Sequence, residues 1–146
     1  MKKIAMLVPI AVLLVACGST QSSETSTQQS AGETSTTATL QSCPDAITWD
    51  QASAHVGEVA TITGPTISAV YASDSRGQPT FLNIGKDYPD PDRFTVVIWG
   101  YDRDNFSFAP EVEYNNKAIC VTGLIETYKG IPQIVAETAS DIEIIE

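Results

Sequence analysis

The sequence predicts an all-β fold, in which five strands form a small barrel with one short helix before the first strand and another between the third and fourth. Runs rich in Val, Ile, Thr, Phe and Trp recur with Gly, Pro and Asp between them, as is typical of strands and turns. The clearest runs are residues 80–85 and 94–99. The one long connection without this pattern, residues 100–116, lies between the third and fourth predicted strands.

Residues 1–16 are predicted to be a lipoprotein signal peptide. Lys2 and Lys3 precede an apolar run at 4–15, which is shorter than the roughly 20 residues that a spanning helix needs. The sequence Leu-Val-Ala-Cys at 14–17 resembles the bacterial lipoprotein signal. That resemblance implies that Cys17 becomes the N-terminus and carries lipid, which would anchor the domain on the extracytoplasmic side of the cell membrane or outer membrane. The alternative is an ordinary secretory signal in which the cysteine is incidental.

Residues 17–42 are predicted to be a disordered tether between the lipid and the domain. This stretch is rich in Ser, Thr and Gln, and after Cys17 its one large aliphatic residue is Leu40. Such a composition buries too little apolar surface to offset the entropy of ordering. A glycosylated or protein-binding stalk is the alternative.

The folded domain is predicted to span residues 43–146. With Cys17 lipidated, Cys43 and Cys120 form an even remainder in an oxidising compartment, which predicts one disulfide. Two buried free thiols are the alternative. A metal site is disfavoured because neither cysteine lies near another cysteine or a histidine in the sequence.

The domain is predicted to begin with a short helix at 49–55. Thr48 and Gln51 fit a capping box, and Trp49, Ala52 and Val56 would share the buried face of an α-helix. Trp49 is interpreted as a core residue in preference to a ligand contact.

The strands follow in order from this helix. The first, residues 58–71, contains Gly64 and Pro65, which predict a break that curves it around both halves of the barrel. In the hairpin of the second and third strands, the predicted inward residues are Leu82, Ile84, Phe94, Val96 and Ile98. The residues predicted to face outward are Phe81, Asn83, Thr95, Val97 and Trp99. The fourth strand, residues 117–128, would turn Ile119, Val121 and Leu124 inward; residues 131–136 form the fifth, and 140–146 are a candidate edge strand.

Two motifs resemble a bacterial family of OB-fold nucleic-acid-binding domains. They are PTFLNIG at 79–85 and YKGIPQI at 128–134, and the similarity extends over about residues 47–145. The family occurs as free exported domains and as modules of larger exported or nuclease-associated proteins. The resemblance implies a five-stranded OB-fold Greek-key barrel that binds single-stranded nucleic acid, although a fold does not by itself fix a function.

OB folds bind oligonucleotides and oligosaccharides across strands 2 and 3, between the loops that join strands 1–2 and 4–5. The candidate ligand-binding residues at these places are Tyr71, Arg76, Phe81, Asn83, Trp99, Tyr101, Tyr128 and Lys129. The cations that would reach phosphates are Arg76, Lys86, Arg93, Arg103 and Lys129. The alternative is that the aromatic side chains cover the barrel and the cations pair with nearby aspartates.

The composition limits the function further. The chain has 8 Lys and Arg against 18 Asp and Glu, a net charge of −10, which argues against broad electrostatic binding of nucleic acid. His55 is the single histidine, and no nucleophile, phosphate-loop or zinc motif is present, so the sequence predicts no enzyme, cofactor or metal. Asp87, Asp90 and Asp92 would suit calcium, but turn chemistry explains them as well.

The sequence therefore predicts a monomeric, membrane-anchored binding module outside the cytoplasm, for single-stranded nucleic acid or nucleotides. Two alternatives stay open. One is a module that binds a protein or glycan of the cell envelope, and the other is an accessory subunit of an exported nuclease.

Overall fold

The computed structural model of the protein describes residues 43–145, so the predicted signal peptide, Cys17 and the tether lie outside the described residues. Within 43–145, none of the helices has the length and apolar character to cross a bilayer. The strands of this part of the chain are β1 Ile47–Thr48, β2 Val59–Tyr71, β3 Thr80–Ile84, β4 Phe94–Ile98, β5 Ala118–Leu124, β6 Glu126–Tyr128, β7 Ile131–Val135 and β8 Ile142–Ile145. The helix α1 is Pro110–Glu113, and 3₁₀ turns occupy Trp49–His55, Arg103–Asn105 and Ala139–Asp141.

The long strand β2 organises the sheet. Its first half pairs antiparallel with β5, and its second half pairs antiparallel with β3. The sheet continues from β3 to β4 antiparallel, from β4 to β7 parallel, and from β7 to β6 antiparallel. β8 adds to β5 as an edge, and β1 pairs parallel with β2. This connectivity, with a curved first strand shared between two halves, is that of an OB-like domain.

The prediction of five strands in a closed barrel needs correction. The described chain has eight strands, and the hydrogen-bonded path β6-β7-β4-β3-β2-β5-β8 is open. The predicted fourth strand divides at Ile125, whose N–H donates to the carbonyl of Glu58 at 2.9 Å and whose carbonyl accepts from Gly57 at 2.8 Å. In a fully closed barrel, hydrogen bonds between strands would close the sheet at this place. Here the chain itself connects β5 to β6 through Ile125. β1 and β8 account for the other additional strands.

The core lies inside this curved sheet. The predicted inward residues of β3 and β4 are all buried, as are Ile119 and Val121 of β5. Leu124 is 46% exposed, so its predicted inward position is wrong, and Ile125 is fully buried in its place. The alternation that turns Ile119 and Val121 inward continues through Gly123 to Ile125, so Leu124 points outward. An added Cβ on Gly123 would stand 2.6 Å from Cγ2 of the buried Ile134.

The predicted helix at 49–55 exists as a 3₁₀ helix, and this changes its buried face. A 3₁₀ helix repeats every three residues, so Trp49 and Ala52 share a face while Val56 does not. Ala52 is fully buried, Trp49 packs against the core and Val56 is exposed. The predicted capping box is absent, because the side chain of Thr48 makes no capping hydrogen bond.

A disulfide joins Cys43 to Cys120, which confirms the predicted pair. Their Cα atoms are 6.3 Å apart, and the two residues are separated by 77 positions in the sequence. Cys120 is buried within β5, so the bond fixes the beginning of the domain to the sheet.

Candidate functional site

A groove of about 650 Å³ lies on the outer face of the sheet, over β2, β3, β4 and β7. Its lining residues are Ser68, Val70, Phe81, Asn83, Asp87, Tyr88, Arg93, Thr95, Tyr128, Lys129, Ile131 and Gln133. The groove therefore covers the strand face where the sequence predicted a site.

The register of four strands builds the floor of this groove. Asn83 on β3 pairs with Ser68 on β2 and with Thr95 on β4, and Thr95 pairs with Gln133 on β7. One pleat further along, Phe81 pairs with Val70 of β2. Paired residues of neighbouring strands point to the same side of a sheet. The floor therefore has a polar row beside an apolar row: the polar row is Ser68, Asn83, Thr95 and Gln133, and the apolar row is Val70 and Phe81.

Two exposed tyrosines line the same groove, and each has a cation beside its ring. Tyr88, in the β3–β4 loop, is 72% exposed, and the guanidinium carbon of Arg93 lies 5.2 Å from its ring centroid. Tyr128, at the end of β6, is 61% exposed, and Nζ of Lys129 lies 5.3 Å from its ring centroid. Both distances are within the range of a cation–π contact.

The tight turn between β6 and β7 explains how Tyr128 reaches the groove. Lys129 and Gly130 connect the two strands, with φ angles of 51° and 83°. Positive φ at both central residues is the geometry of a type I′ hairpin turn, which matches the twist of the strands beside it.

The polar end of the groove is organised around the carboxylate of Asp87. Its Oδ1 accepts hydrogen bonds from the hydroxyl of Ser68, from Nδ2 of Asn83 at 3.2 Å and from the backbone N–H of Tyr88 at 2.7 Å. The hydrogen bond from Ser68, then that from Tyr88, holds the pKa of Asp87 below its ordinary value. The carboxylate is therefore an ionised acceptor with a fixed orientation.

The predicted outward residues lie on the outer face, but most of them are not exposed. Asn83 and Thr95 are only 5% and 6% exposed, and Val97 is also buried, while Phe81 and Trp99 are half-buried. The β3–β4 loop and the β6–β7 turn rise on either side of this face, which the alternation of the strands alone does not reveal.

The hydroxyl of Thr95 has no hydrogen-bond partner among residues 43–145, although it is buried. A buried polar group without a partner costs about 1–3 kcal/mol. The floor of the groove therefore contains an unsatisfied polar group just beneath its surface.

The structure separates the eight predicted ligand-binding residues into two groups. Phe81, Asn83, Tyr128 and Lys129 line the groove. The remaining four lie outside the groove lining; they are Tyr71, Arg76, Trp99 and Tyr101.

Trp99 and Tyr101 form a second aromatic surface beside the β2–β3 loop. Their rings stack with centroids 6.4 Å apart and an interplanar angle of 12°. The backbone of Gly77 lies against Trp99, since an added Cβ there would stand 3.0 Å from the indole. Arg76, the residue before Gly77, is exposed in the same loop.

Tyr71 has a structural partner. The guanidinium carbon of Arg103 lies 3.9 Å from its ring centroid. Arg103 also donates to the hydroxyl of Thr80 and to both carboxylate oxygens of Glu111, with the shorter Glu111 contact at 2.9 Å. Burial raises the pKa of Glu111, but the hydrogen bonds from Arg103 outweigh it and bring the pKa below the ordinary value. These contacts tie α1 to the sheet.

Sequence reasoning did not select Tyr88 and did not place Asp87 at the groove, whereas it named Arg93 among the cations that would reach phosphates. The loop KDYPDPDR contains a single aromatic residue between charged and turn-forming ones. A lone tyrosine in such a polar loop is the signal that would have identified it.

The other two aspartates of this loop bind a lysine. Nζ of Lys86 lies 2.9 Å from Oδ2 of Asp92 and 3.4 Å from Oδ1 of Asp90. Over the described range 43–145, no cluster of three or more His, Cys, Asp or Glu side chains is placed to hold a metal ion.

No family model and no curated protein matches the sequence. Among solved structures, asparaginyl-tRNA synthetase from Pyrococcus horikoshii matches 70% of this chain and 23% of its own, with 13% identity and a TM-score of 0.47. A putative aspartyl-tRNA synthetase from Leishmania major Friedlin matches 77% of this chain and 22% of its own, with 8% identity and a TM-score of 0.43. This chain thus spans less than a quarter of either synthetase.

A further similar structure is a small protein. The OBody AM1L10, solved bound to hen egg-white lysozyme, matches 70% of this chain and 96% of its own, with 14% identity and a TM-score of 0.42.

Proposed function

We propose that the protein is a binding module for single-stranded nucleic acid or nucleotides, and that the groove holds a base. The observation that carries this proposal is the pair of exposed tyrosines, Tyr88 and Tyr128, which line one groove with an apolar row in its floor. Stacking of a base on an aromatic side chain contributes about 1–3 kcal/mol. Phe81 and Val70 offer further apolar contact beneath the base.

The charged residues of the groove suit a nucleotide better than the net charge of the whole chain does. Arg93 and Lys129 lie beside the two tyrosines, and Asp87 is the one acidic residue among the described residues that line the groove. The net charge of the whole chain, −10, repels a polyanion. We therefore expect a short binding site of a few nucleotides, whose affinity falls as salt is added.

Fluorescence anisotropy with short labelled oligonucleotides at low salt tests this proposal. Tyr88→Ala and Tyr128→Ala should each weaken binding by about 5- to 150-fold, as expected from the loss of one stacking contact. Tyr101→Ala is the matched control, because Tyr101 is as exposed as the other two and stacks on Trp99 outside the groove.

Two results would count against the proposal. An absence of measurable affinity for any oligonucleotide or nucleotide would remove the function. A loss with Tyr101→Ala as large as that with Tyr88→Ala and Tyr128→Ala would place the base on the Trp99–Tyr101 surface in place of the groove.

A protein or glycan of the cell envelope is the second candidate ligand. The net charge of −10 favours it, because an acidic surface is suited to a basic protein partner or a neutral sugar. If envelope extracts yield a partner whose capture depends on Tyr88 and Tyr128 while oligonucleotides do not bind, this candidate replaces the first. A role as accessory to an exported nuclease predicts a further result: adding the domain to that nuclease should increase its rate of cleavage.

The proposed place of action is the outer side of a membrane, through lipid on Cys17, and the proposed role is binding without catalysis. The support is the sequence Leu-Val-Ala-Cys at 14–17. Metabolic labelling with palmitate should mark the protein in a bacterial host, and Cys17→Ser should abolish both the label and recovery in the membrane fraction.

A further inference from the structure

The carboxylate of Asp87 has one oxygen that is occupied and one that faces no described donor. Oδ1 accepts from Ser68, Asn83 and the backbone of Tyr88, whereas no hydrogen bond of Oδ2 is found within residues 43–145. Three donors on one oxygen prevent the carboxylate from rotating. Asp87 is exposed and lines the groove, so Oδ2 is a fixed acceptor available to a ligand.

This acceptor lies next to the residues that would hold a flat ring. Tyr88 follows Asp87 directly in the chain, and the apolar row of Val70 and Phe81 adjoins the polar row that contains Asn83. A ring on the apolar row would thus turn one edge toward the carboxylate. The buried hydroxyl of Thr95, which has no partner within residues 43–145, lies in the same polar row.

We propose that this groove selects guanine, through donation from the N1–H and N2–H groups of its Watson–Crick edge to Asp87. The inference rests on the proposed function, since it names the base that the same groove prefers. An ionised carboxylate accepts hydrogen bonds and cannot donate them, so it favours the edge with adjacent donors. On this edge guanine presents two adjacent N–H donors, whereas adenine has one donor beside one acceptor, cytosine has one donor beside two acceptors, and thymine has one donor between two acceptors.

The first test uses the unmodified full-length protein, purified in detergent. Short thymine oligonucleotides that carry one central guanine, inosine or adenine are compared by anisotropy. Inosine keeps the N1–H of guanine but lacks its 2-amino group, so we expect binding about tenfold weaker than guanine. Adenine should bind more weakly than inosine.

The second test replaces the hydrogen-bond acceptor at Oδ2 of Asp87 with a donor. In Asp87→Asn, the three donors that hold Oδ1 require the amide oxygen at that position, so the amide nitrogen must take the place of Oδ2. The groove then presents a donor in place of an acceptor, and the preference for guanine over adenine should disappear or reverse. Asp92→Asn is the matched control: Asp92 lies in the same loop, pairs with Lys86 and is absent from the groove lining. It should keep the preference of the unmodified protein.

The outcomes separate the inference from the function on which it rests. Equal affinity for guanine, inosine and adenine, with loss of binding in Tyr88→Ala, would overturn the selection of guanine while the binding function stands. A guanine preference that survives Asp87→Asn would also overturn the inference. An absence of binding to every oligonucleotide would remove the proposed function as well.

Discussion

Trp49 lies against the bare backbone of Gly85, so closely that a Cβ on Gly85 would stand 2.0 Å from Cε2 of the indole. Gly64 of β2 is in a similar position, with an added Cβ 2.6 Å from Cδ1 of the same ring. The indole therefore covers two glycines at neighbouring positions of the sheet. Side chains larger than hydrogen at these positions would displace it from the core.

Gly85→Ala should lower the free energy of unfolding by about 2–4 kcal/mol. Gly85 has a φ of 75°, where a side chain costs about 1–2 kcal/mol, and the contact with Trp49 adds the cost of overpacking. Gly130→Ala is the control, because Gly130 has a φ of 83° but, in the described part of the chain, no atom lies within 4 Å of an added Cβ. Urea denaturation measures both variants. Equal losses would show that backbone strain, and not the indole contact, decides the effect.

Removal of the Cys43–Cys120 disulfide should destabilise the domain by up to about 4 kcal/mol. The bond closes a long loop, and restricting such a loop in the unfolded chain stabilises the folded state. The double variant Cys43→Ala and Cys120→Ala is compared with the unmodified protein in urea.

Alkylation followed by mass measurement checks the bond itself. The protein should gain two more labels with reductant than without it. Labelling of Cys43 or Cys120 in the absence of reductant would contradict the disulfide.

The alternation of apolar residues predicts most of the core, and the inward prediction for Leu124 failed because it departed from that alternation. In β3 and β4 the strands are regular, and each predicted inward residue is buried. At the end of β5, alternation from Ile119 and Val121 places Ile125 inward and Leu124 outward, and Ile125 is indeed buried where Leu124 was expected. Both residues are large and aliphatic, so hydrophobicity alone does not choose between them, whereas the regular register of β5 with β2 does.

The candidate site was predictable in position and only partly in composition. Phe81 and Asn83 follow from strand alternation, and Tyr128 and Lys129 follow from the tight turn that Gly130 predicts. Tyr88 does not follow, because Asp and Pro predict a turn without indicating which side chain lies over the sheet. The depth of the groove likewise depends on how two loops rise beside the face, and this is a property of the assembled fold.

Asp102→Asn should stabilise the protein at neutral pH. Burial, and then the nearby charge of Glu137, raises the pKa of Asp102 above its ordinary value, and its Oδ2 is buried without a partner in the described part of the chain. A carboxyl with a raised pKa in the folded state ionises more easily when unfolded. Its ionisation therefore weakens folding as the pH rises from the unfolded pKa through the folded pKa.

The gain from Asp102→Asn should consequently be present at pH 7 and absent at low pH, where Asp102 is protonated in both states. Thermal midpoints at the two pH values test this. Asp104→Asn, an exposed aspartate of the same 3₁₀ turn, should change the midpoint little at either pH. A gain from Asp102→Asn that is equal at both pH values would contradict the electrostatic explanation.

The dependence of oligonucleotide affinity on salt concentration should show how many phosphates the two cations of the groove neutralise. Each phosphate neutralised by a lysine or arginine contributes about −0.7 to the slope of log affinity against log salt for single strands, so Arg93 and Lys129 together predict a slope near −1.4. Lys129→Gln should reduce this slope by about half. Lys86→Gln should leave it unchanged, because the ammonium of Lys86 is bound by Asp90 and Asp92. A steep slope that Lys129→Gln does not alter would mean that the phosphates lie along another surface, and the Trp99–Tyr101 surface with Arg76 would be the next place to test.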